Sequence, residues 1–184
     1  WDFPTRPPDA PPDMPRNVVV WLGQAYTWPV RTDVTVPATG GAVYELIAGQ
    51  RVSPQTAADG RWVLPADLTT VEGRVFVFLP RAIAGVDLAA SPQAGDGRPS
   101  GWRVRVVDDA GQPVSALVPV RVELIDPRGV SKAVRYPAVG PAGVEETFRI
   151  PATGLAGQWR IHAGELLSGL GVEKTITVAA PSPA

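Results

Sequence analysis

The chain has 184 residues and a formal net charge of −1, with 17 Lys and Arg against 18 Asp and Glu. This near-balance excludes the basic surface that nucleic acid or an anionic membrane would require, and the absence of cysteine excludes disulfides and thiolate metal sites. No apolar run approaches the ~20 residues that span a bilayer. The 21 prolines and 19 glycines, set among 45% hydrophobic residues, favour short strands and turns over helices.

Both ends of the chain are rich in proline. Prolines crowd residues 1–16, and Pro181 and Pro183 lie in the final segment, 180–184. Repeated proline favours extended, semi-rigid segments, so these two segments are predicted to be linkers. A chain that opens on Trp1 between two such linkers is expected to be a module of a longer protein.

The first half of the chain is predicted to form a β-sandwich over residues 17–90. Short apolar runs separated by Gly, Pro and Asp indicate strands. Pro65–Glu72 is expected to be a connection, and Val86–Leu88 the start of a crossover. The predicted strands cover 17–23, 26–30, 33–36, 43–47, 61–64 and 74–79.

Residues 91–101 are the clearest internal linker, because they are small, polar and interrupted by Gly and Pro. A domain boundary there leaves a second sandwich over 102–179, large enough for about seven strands. Apolar and charged residues alternate from Trp102 and again from Val120, and the turn Asp126-Pro127-Arg128-Gly129 suits type I geometry. The predicted fold class is therefore all-β, with two tandem antiparallel β-sandwiches of which the second is Ig-like. No sequence repeat between the halves is expected.

The sequence predicts no catalytic set and no cofactor. The single histidine, His162, lies in a strand pattern opposite Trp159, without a G-x-S-x-G motif to supply a nucleophile. Adjacent strand residues point to opposite faces, so Glu145 and Glu146 cannot act as a pair. A calcium site near Asp87, Asp96 or Asp108-Asp109 lacks the spacing of a known calcium loop, which favours turn-forming aspartates.

Aromatic residues offer one candidate binding site. Tyr26 and Trp28 lie two residues apart, would share a strand face, and could bind a glycan together with Trp62. The alternative is core packing, which is expected for Phe148 and Trp159 because large aromatics dominate burial.

Two segments carry a family resemblance. Residues 43–80 resemble the C-terminal β-sandwich that follows the catalytic barrel in many glycoside hydrolases. There a strand of Tyr, an acidic residue and Leu turns at Gly and is followed by a hairpin ending in an apolar strand and Pro. The matching positions are Tyr44, Glu45, Leu46, Gly49, Phe76, Leu79 and Pro80.

Residues 102–178 are similar to bacterial Ig-like and macroglobulin-like domains. The resemblance depends on a D-x-x-G-x-P turn, a V-x-V strand, a D-P-x-G turn, a later G-x-W and a closing EL-x-SG, beginning at Asp108, Val120, Asp126, Gly157 and Glu165. It implies a role in rigidity and spacing, with no catalytic residue among the matched positions.

The resulting prediction is a non-catalytic accessory module of an exported bacterial protein (secreted, periplasmic or at the cell surface). Its expected partner is an upstream domain of the same polypeptide, glycoside-hydrolase-like in character. The alternatives are a carbohydrate-binding module that binds a polysaccharide through Tyr26, Trp28 and Trp62, and a surface adhesin fragment. Neither nucleic-acid binding nor membrane insertion is expected.

Overall fold

A computed structural model describes residues 31–69, 73–94, 99–151 and 154–179, and within these ranges the chain forms strands and turns without a helix. These ranges accordingly hold no helix that could cross a bilayer. The predicted strands at 17–23 and 26–30 and both Pro-rich terminal segments lie outside the described residues. The chain is all-β, as predicted.

The first part of the fold, residues 31–79, is built from two three-stranded antiparallel sheets. In chain order its strands are Arg31–Val36 (β1), Ala42–Glu45 (β2), Gln50–Val52 (β3), Gln55–Thr56 (β4), Trp62–Asp67 (β5) and Phe76–Leu79 (β6). One sheet has the order β1-β5-β4 and the other the order β3-β2-β6. The strands predicted at 33–36, 43–47, 61–64 and 74–79 are thus present with shifted ends.

Strand β5 continues through Pro65, where the sequence analysis expected a connection to begin. Pro65 pairs with Asp33 of β1, whereas β4 reaches only Trp62 and Val63 on the other side of β5. Proline has no amide hydrogen to donate, so it is tolerated where a strand has a neighbour on one side only. The short reach of β4 creates such a position.

The second part of the fold is a two-sheet sandwich over residues 83–178. Its strands are Ile83–Ala90 (β7), Gln93–Ala94 (β8), Pro99–Asp108 (β9), Val118–Ile125 (β10), Ser131–Arg135 (β11), Ala138–Val139 (β12), Val144–Arg149 (β13), Gly157–Glu165 (β14) and Gly171–Val178 (β15). One sheet has the order β11-β10-β14-β15-β8, with β12 also pairing with β10, and the other has the order β13-β9-β7. The pairs are antiparallel except for β15 with β8, which is parallel.

Burial alternates along the sandwich strands as the sequence pattern predicts. Val118, Val120, Val122 and Leu124 of β10 are buried, while the residues between them are half-exposed. Trp159 and Ile161 of β14 likewise face the core. The predicted turn at 126–129 is present, since the Gly129 amide donates to the Asp126 carbonyl at 2.9 Å, and β11 pairs back onto β10 after it.

Strand β7 differs from the predicted crossover. It runs from Ile83 to Ala90 and pairs antiparallel with β9 over most of its length. The predicted linker at 91–101 therefore lies between two strands of the same sheet, and it contains β8 and the beginning of β9. The division of the chain into domains at 91–101 stays a prediction.

The two parts share one continuous hydrophobic core. Ala42, Tyr44 and Leu79 of the smaller part belong to the same buried cluster as the sandwich residues. The amide of Ile83, at the start of β7, donates to the Tyr44 hydroxyl at 2.7 Å. A buried phenol thus ties the smaller part to the first strand of the sandwich.

Candidate functional site

The structure describes one of the three aromatic residues predicted to bind a glycan. Tyr26 and Trp28 lie outside the described residues. Trp62, on β5, is half-buried and stacks on Phe78 of β6, with ring centroids 6.5 Å apart and planes inclined by 14°. Trp62 therefore packs between the two small sheets, and a shared platform with Tyr26 and Trp28 stays a prediction.

His162 lies on the outer face of the larger sheet, opposite Trp159, as predicted. Its strand neighbours in register are Glu123 of β10 and Glu173 of β15. The imidazole packs closely against Gly164 and Gly171. A Cβ added to Gly171 would lie 3.0 Å from Nε2, and one added to Gly164 would lie 3.2 Å from Cε1. No group of three or more His, Cys, Asp or Glu side chains in the described ranges could hold a metal ion.

Glu145 and Glu146 occupy opposite faces of β13, as the alternation predicts. Glu145 pairs with Arg103 of β9 at 3.4 Å, whereas Glu146 lies 3.8 Å from Arg135 of β11. These two carboxylates therefore do not form a catalytic pair.

Two buried aspartates hold turns of the sandwich. The Oδ1 atom of Asp108 accepts the amides of Ala110 and Gln112, both at 2.9 Å. The Oδ1 atom of Asp126 accepts the amides two and four residues further along, from Arg128 at 2.9 Å and Val130 at 2.8 Å. This is the turn-forming role that the sequence analysis favoured over a calcium site at Asp108.

Two buried glutamates hold turns in a similar way. Glu45, at the end of β2, accepts the amides of Ile47 at 3.0 Å and Ala48 at 2.7 Å. Glu165, at the end of β14, has about 1% of its surface exposed. It accepts the amides of Leu167 at 2.8 Å, Ser168 at 3.0 Å and Leu170 at 2.9 Å, and also the Ser168 hydroxyl. The sequence pattern predicts no role for either glutamate.

Three of these four acids also contact a cation. Arg74 lies 3.2 Å from Glu45, Arg81 lies 3.2 Å from Asp108, and Lys132 lies 3.2 Å from Asp126. Glu165 is satisfied by amide and hydroxyl donors instead. Hydrogen bonds to a charged group compensate the cost of its burial, so the four carboxylates fit the core without requiring a ligand.

The charge state of Asp126 agrees with a structural role. Burial alone would raise the pKa of its carboxyl, but the Val130 amide, the Lys132 ammonium and the Arg128 amide together hold that pKa below its usual range. A general acid has to carry a proton near the working pH. Asp126 is instead held ionised: its Oδ1 accepts the turn amides, while its buried Oδ2 accepts no hydrogen bond within the described residues and lies 3.2 Å from the Lys132 ammonium.

The two glutamate turns share a sequence motif and approach each other in space. Residues 45–49 read Glu-Leu-Ile-Ala-Gly and residues 165–169 read Glu-Leu-Leu-Ser-Gly. The glycine that ends each motif has positive φ, 61° at Gly49 and 78° at Gly169. A Cβ on Gly49 would lie 3.6 Å from the Leu166 carbonyl oxygen. A five-residue motif therefore recurs between the halves, where no sequence repeat was expected, and its copies lie side by side.

No family model matches the chain, and no curated protein matches it. Among solved structures, a CARDB domain from Pyrococcus furiosus, solved in complex with di-metal ions, is 18% identical over 52% of this chain and 86% of that chain, with a TM-score of 0.36. The Yersinia pseudotuberculosis adhesin InvE is 10% identical over 83% of this chain, with a TM-score of 0.37, and the match spans 49% of the adhesin chain. At these levels of identity and superposition, neither comparison assigns the chain to a family.

Proposed function

We propose that this chain is a non-catalytic structural module that holds neighbouring parts of a larger exported protein at a fixed spacing. The observation that carries the proposal is that the buried acidic side chains bind the backbone of turns. Asp108, Asp126, Glu45 and Glu165 each bind the backbone of a turn, and the described residues include no group of ligating side chains able to hold a metal. These four buried carboxylates therefore hold the fold together.

Rigidity between the two parts is supported by three features. They share one hydrophobic core, the Tyr44 hydroxyl joins β2 to β7, and the two glutamate turns are in contact. Since a turn anchored by a buried carboxylate has little freedom to reorganise, contact between two such turns resists bending. A module of this kind transmits the position of one end to the other.

Single-molecule distance measurements test this rigidity. Because the chain has no cysteine, two exposed threonines can be replaced by cysteine and labelled without side reactions. The Thr32→Cys, Thr175→Cys pair connects the two parts, and the Thr147→Cys, Thr175→Cys pair lies within the sandwich as a control. We expect equally narrow distance distributions for both. A distribution for the first pair that is broad or divided into two populations would contradict a rigid spacer.

The non-catalytic part of the proposal has its own test. The intact chain is expected to leave a panel of plant and bacterial polysaccharides unhydrolysed. Hydrolysis that is abolished by one carboxylate substitution in a folded variant would overturn the proposal. Glu145→Gln and Glu146→Gln are the natural first variants, because both side chains are exposed.

The same proposal includes a larger parent protein with a glycoside-hydrolase-like partner domain. This part of the proposal rests on the resemblance of residues 43–80 to the C-terminal β-sandwich of glycoside hydrolases. An immunoblot of source cells, in cytoplasmic and exported fractions, measures the intact mass. We expect an exported band far above 19.4 kDa. A band at that mass would indicate a protein that acts alone, and glycan binding or adhesion would then be the functions to test.

A further inference from the structure

Strand β6 is an edge of its sheet. In the order β3-β2-β6 it has β2 as its one neighbour within the described residues, and no other described strand packs against it to a comparable extent. An edge strand carries amide and carbonyl groups that can pair with another extended segment. Which of these groups point outward follows from the pairing of β6 with β2.

The Leu46 amide donates to the Val75 carbonyl at 2.9 Å, which identifies these two residues as a hydrogen-bonded pair. Hydrogen-bonded and non-hydrogen-bonded pairs alternate along an antiparallel ladder, and β2 and β6 stay in register from Phe76 to Leu79. The backbone groups of Phe76 and Phe78 therefore point away from β2, along the edge of the sheet.

Strand β1 of the facing sheet exposes an apolar side chain near this edge. Only two residues join β3 to β4, so β6 and β1, at the other edges of their sheets, lie together on the opposite side. The stack of Trp62 on Phe78 sets the middle strand β5 over β6, and β1 extends beyond it. Val34 of β1 is in register with the buried Leu64 of β5 and shares its face, yet Val34 is 38% exposed. A strand beside β6 would cover it.

The position beside β6 selects an apolar segment. All four residues of β2 are buried, because its sheet lies between β5 and the sandwich core, to which Tyr44 and Leu79 belong. A further strand of the same sheet would lie between the same two layers, and strands covered on both faces are continuous apolar runs. The chain has two runs of five consecutive apolar residues, at 75–79, which includes β6, and at 18–22.

The run at 18–22 is close enough along the chain to reach this edge. Arg74 donates to the Asp67 carbonyl at 2.7 Å and lies 3.2 Å from the Glu45 carboxylate. Asp67 pairs with the first residue of β1 and Glu45 with the first residue of β6, so β1 and β6 start at the same end. Residues 24–30 can span up to about 25 Å, well beyond the ~10 Å between facing sheets. The shortest connection makes the added strand antiparallel to β6.

We propose that residues 17–23 of this chain bind to the edge of β6 as an added antiparallel strand, with their backbone on Phe76 and Phe78 and apolar side chains over Val34. This inference goes beyond the structural role proposed above and does not depend on a parent protein. Strand addition takes affinity from main-chain hydrogen bonds and specificity from the side chains beside the edge. The Pro-rich residues 1–16 then leave the module from the smaller part of the fold.

Hydrogen exchange in the complete chain, measured by nuclear magnetic resonance, tests the added strand. The amides of Phe76 and Phe78 should exchange slowly, because they donate to residues 17–23. Val19→Pro and Val20→Pro each remove one backbone donor, and in either register one of these two donors faces β6. In that variant the Phe76 and Phe78 amides should exchange at least about tenfold faster, since exchange follows local opening.

Two controls accompany these variants. The Val77 amide points toward β2 by the same alternation, so it should keep its protection in both proline variants. Ala10→Pro places a proline in the Pro-rich segment 1–16, and exchange at all three amides of β6 should remain as in the unaltered chain.

A nitroxide label provides a second measurement that leaves the apolar run unaltered. Because the chain has no cysteine, Asn17→Cys can be labelled at one end of the proposed strand. The label should broaden the amide signal of Leu79 more than that of Phe76, as the antiparallel direction requires. A mixture of isotope-labelled chain without nitroxide and unlabelled chain with nitroxide should show no broadening, because the contact lies within one molecule. This measurement decides the proposal even where a proline variant unfolds the smaller part.

Three results would overturn the proposal. The first is exchange at Phe76 and Phe78 in the unaltered chain that is as fast as in an exposed turn. The second is protection that persists in both proline variants, or β6 signals that stay sharp with the label at residue 17. The third is broadening in the mixed sample, which would identify a second copy of the chain as the occupant of the edge.

Discussion

The smaller part of the fold, residues 31–79, and the sandwich, residues 83–178, use their strands in different ways. In the sandwich, β10 buries every second residue against a facing sheet. In the smaller part, β1 exposes five of its six residues, whereas all four residues of β2 are buried. The sandwich thus fills its core from alternating strands, while the smaller part buries one whole strand, β2, together with Leu64 and Ala66 of β5. A chain that alternates polar and apolar residues in both halves has produced two unequal structures.

We expect the largest difference in lost stability between the two parts when one tryptophan is removed from each. Trp159→Ala deletes a side chain that is 3% exposed and whose Nε1 donates to the Leu155 carbonyl at 2.8 Å, so we expect a loss of about 3–5 kcal/mol. Trp62→Ala removes a half-buried ring stacked on Phe78. We expect the free energy of unfolding to fall by about 1–2 kcal/mol, because a half-buried ring buries less apolar area on folding. Urea denaturation measures both, and equal losses would contradict the comparison.

The two glutamate turns give the next largest effect. Glu165→Ala removes the buried carboxylate that accepts three amides of its turn, of which the Leu167 amide is buried. We expect a loss of about 3 kcal/mol, since an unsatisfied buried donor costs about 1–3 kcal/mol and partly buried donors cost less. Glu45→Ala removes two acceptor contacts and a pair with Arg74, and a smaller loss of about 2 kcal/mol is expected because Arg74 and the turn amides there are closer to water. Glu145→Ala on the exposed face of β13 is the control.

Because the two turns are in contact, both glutamate variants should unfold in one cooperative transition observed equally by near- and far-ultraviolet circular dichroism. Transitions that separate in Glu45→Ala, with the sandwich unfolding at higher urea, would show that the turns do not couple the two parts.

Acid sensitivity compares one aspartate from each part. The Thr69 side chain and amide and the Arg31 guanidinium lower the pKa of Asp67 to about 2, and the pKa of Asp126 is lowered by its turn and Lys132. A lowered folded-state pKa contributes stability above the unfolded value of ~3.9 that is lost as the pH falls through the folded value. Asp67→Asn should flatten the decrease in stability between about pH 4 and pH 2. Asp126→Asn should flatten the decrease that begins as the pH falls below about 4. Urea midpoints measured across that range test this, and an unchanged slope in either variant would contradict the assigned contacts.

Removing an exposed ion pair should give the smallest change in stability, and a change of similar size in both parts of the fold. Arg160 and Glu173 of the sandwich are 3.2 Å apart, and Arg31 and Asp67 of the smaller part are 3.0 Å apart, all well exposed. Arg160→Gln and Arg31→Gln are each expected to change stability by no more than about 0.5 kcal/mol. A loss above about 1 kcal/mol in either variant, measured by urea denaturation, would show that surface pairs distinguish the two parts after all.

Alternation predicted most of the sandwich strands, because period two is a direct consequence of strand geometry. It did not predict the full extent of β7, where a register shift between Ile83 and Gly85 interrupts the pattern. The polar composition after Ala90 predicts a boundary between domains, which stays a prediction, whereas the pairing of β7 with β9 on either side of that segment has no local signal. Composition records local flexibility, whereas strand pairing depends on residues that are distant along the chain.

The roles of the acids were partly predictable. Asp108 and Asp126 precede glycine-containing turns, and aspartate binding its own turn is a local effect that sequence can reveal. Glu45 and Glu165 were not assigned, because glutamate is expected at the surface unless it is paired. Their repeated Glu-Leu-x-x-Gly motif was the available signal.

The turn-binding carboxylates have a consequence for how related sequences should be interpreted. Replacing Glu165 by Asp would withdraw the acceptor by one methylene, and replacing it by Gln would introduce an unmatched donor. Natural selection should therefore preserve Glu165, and also Asp126, as strictly as it preserves a catalytic acid. An alignment of homologues would then display invariant acidic residues whose role is to bind a turn. In domains whose turns are held by buried carboxylates, an invariant carboxylate therefore identifies a turn whose conformation is essential to the fold.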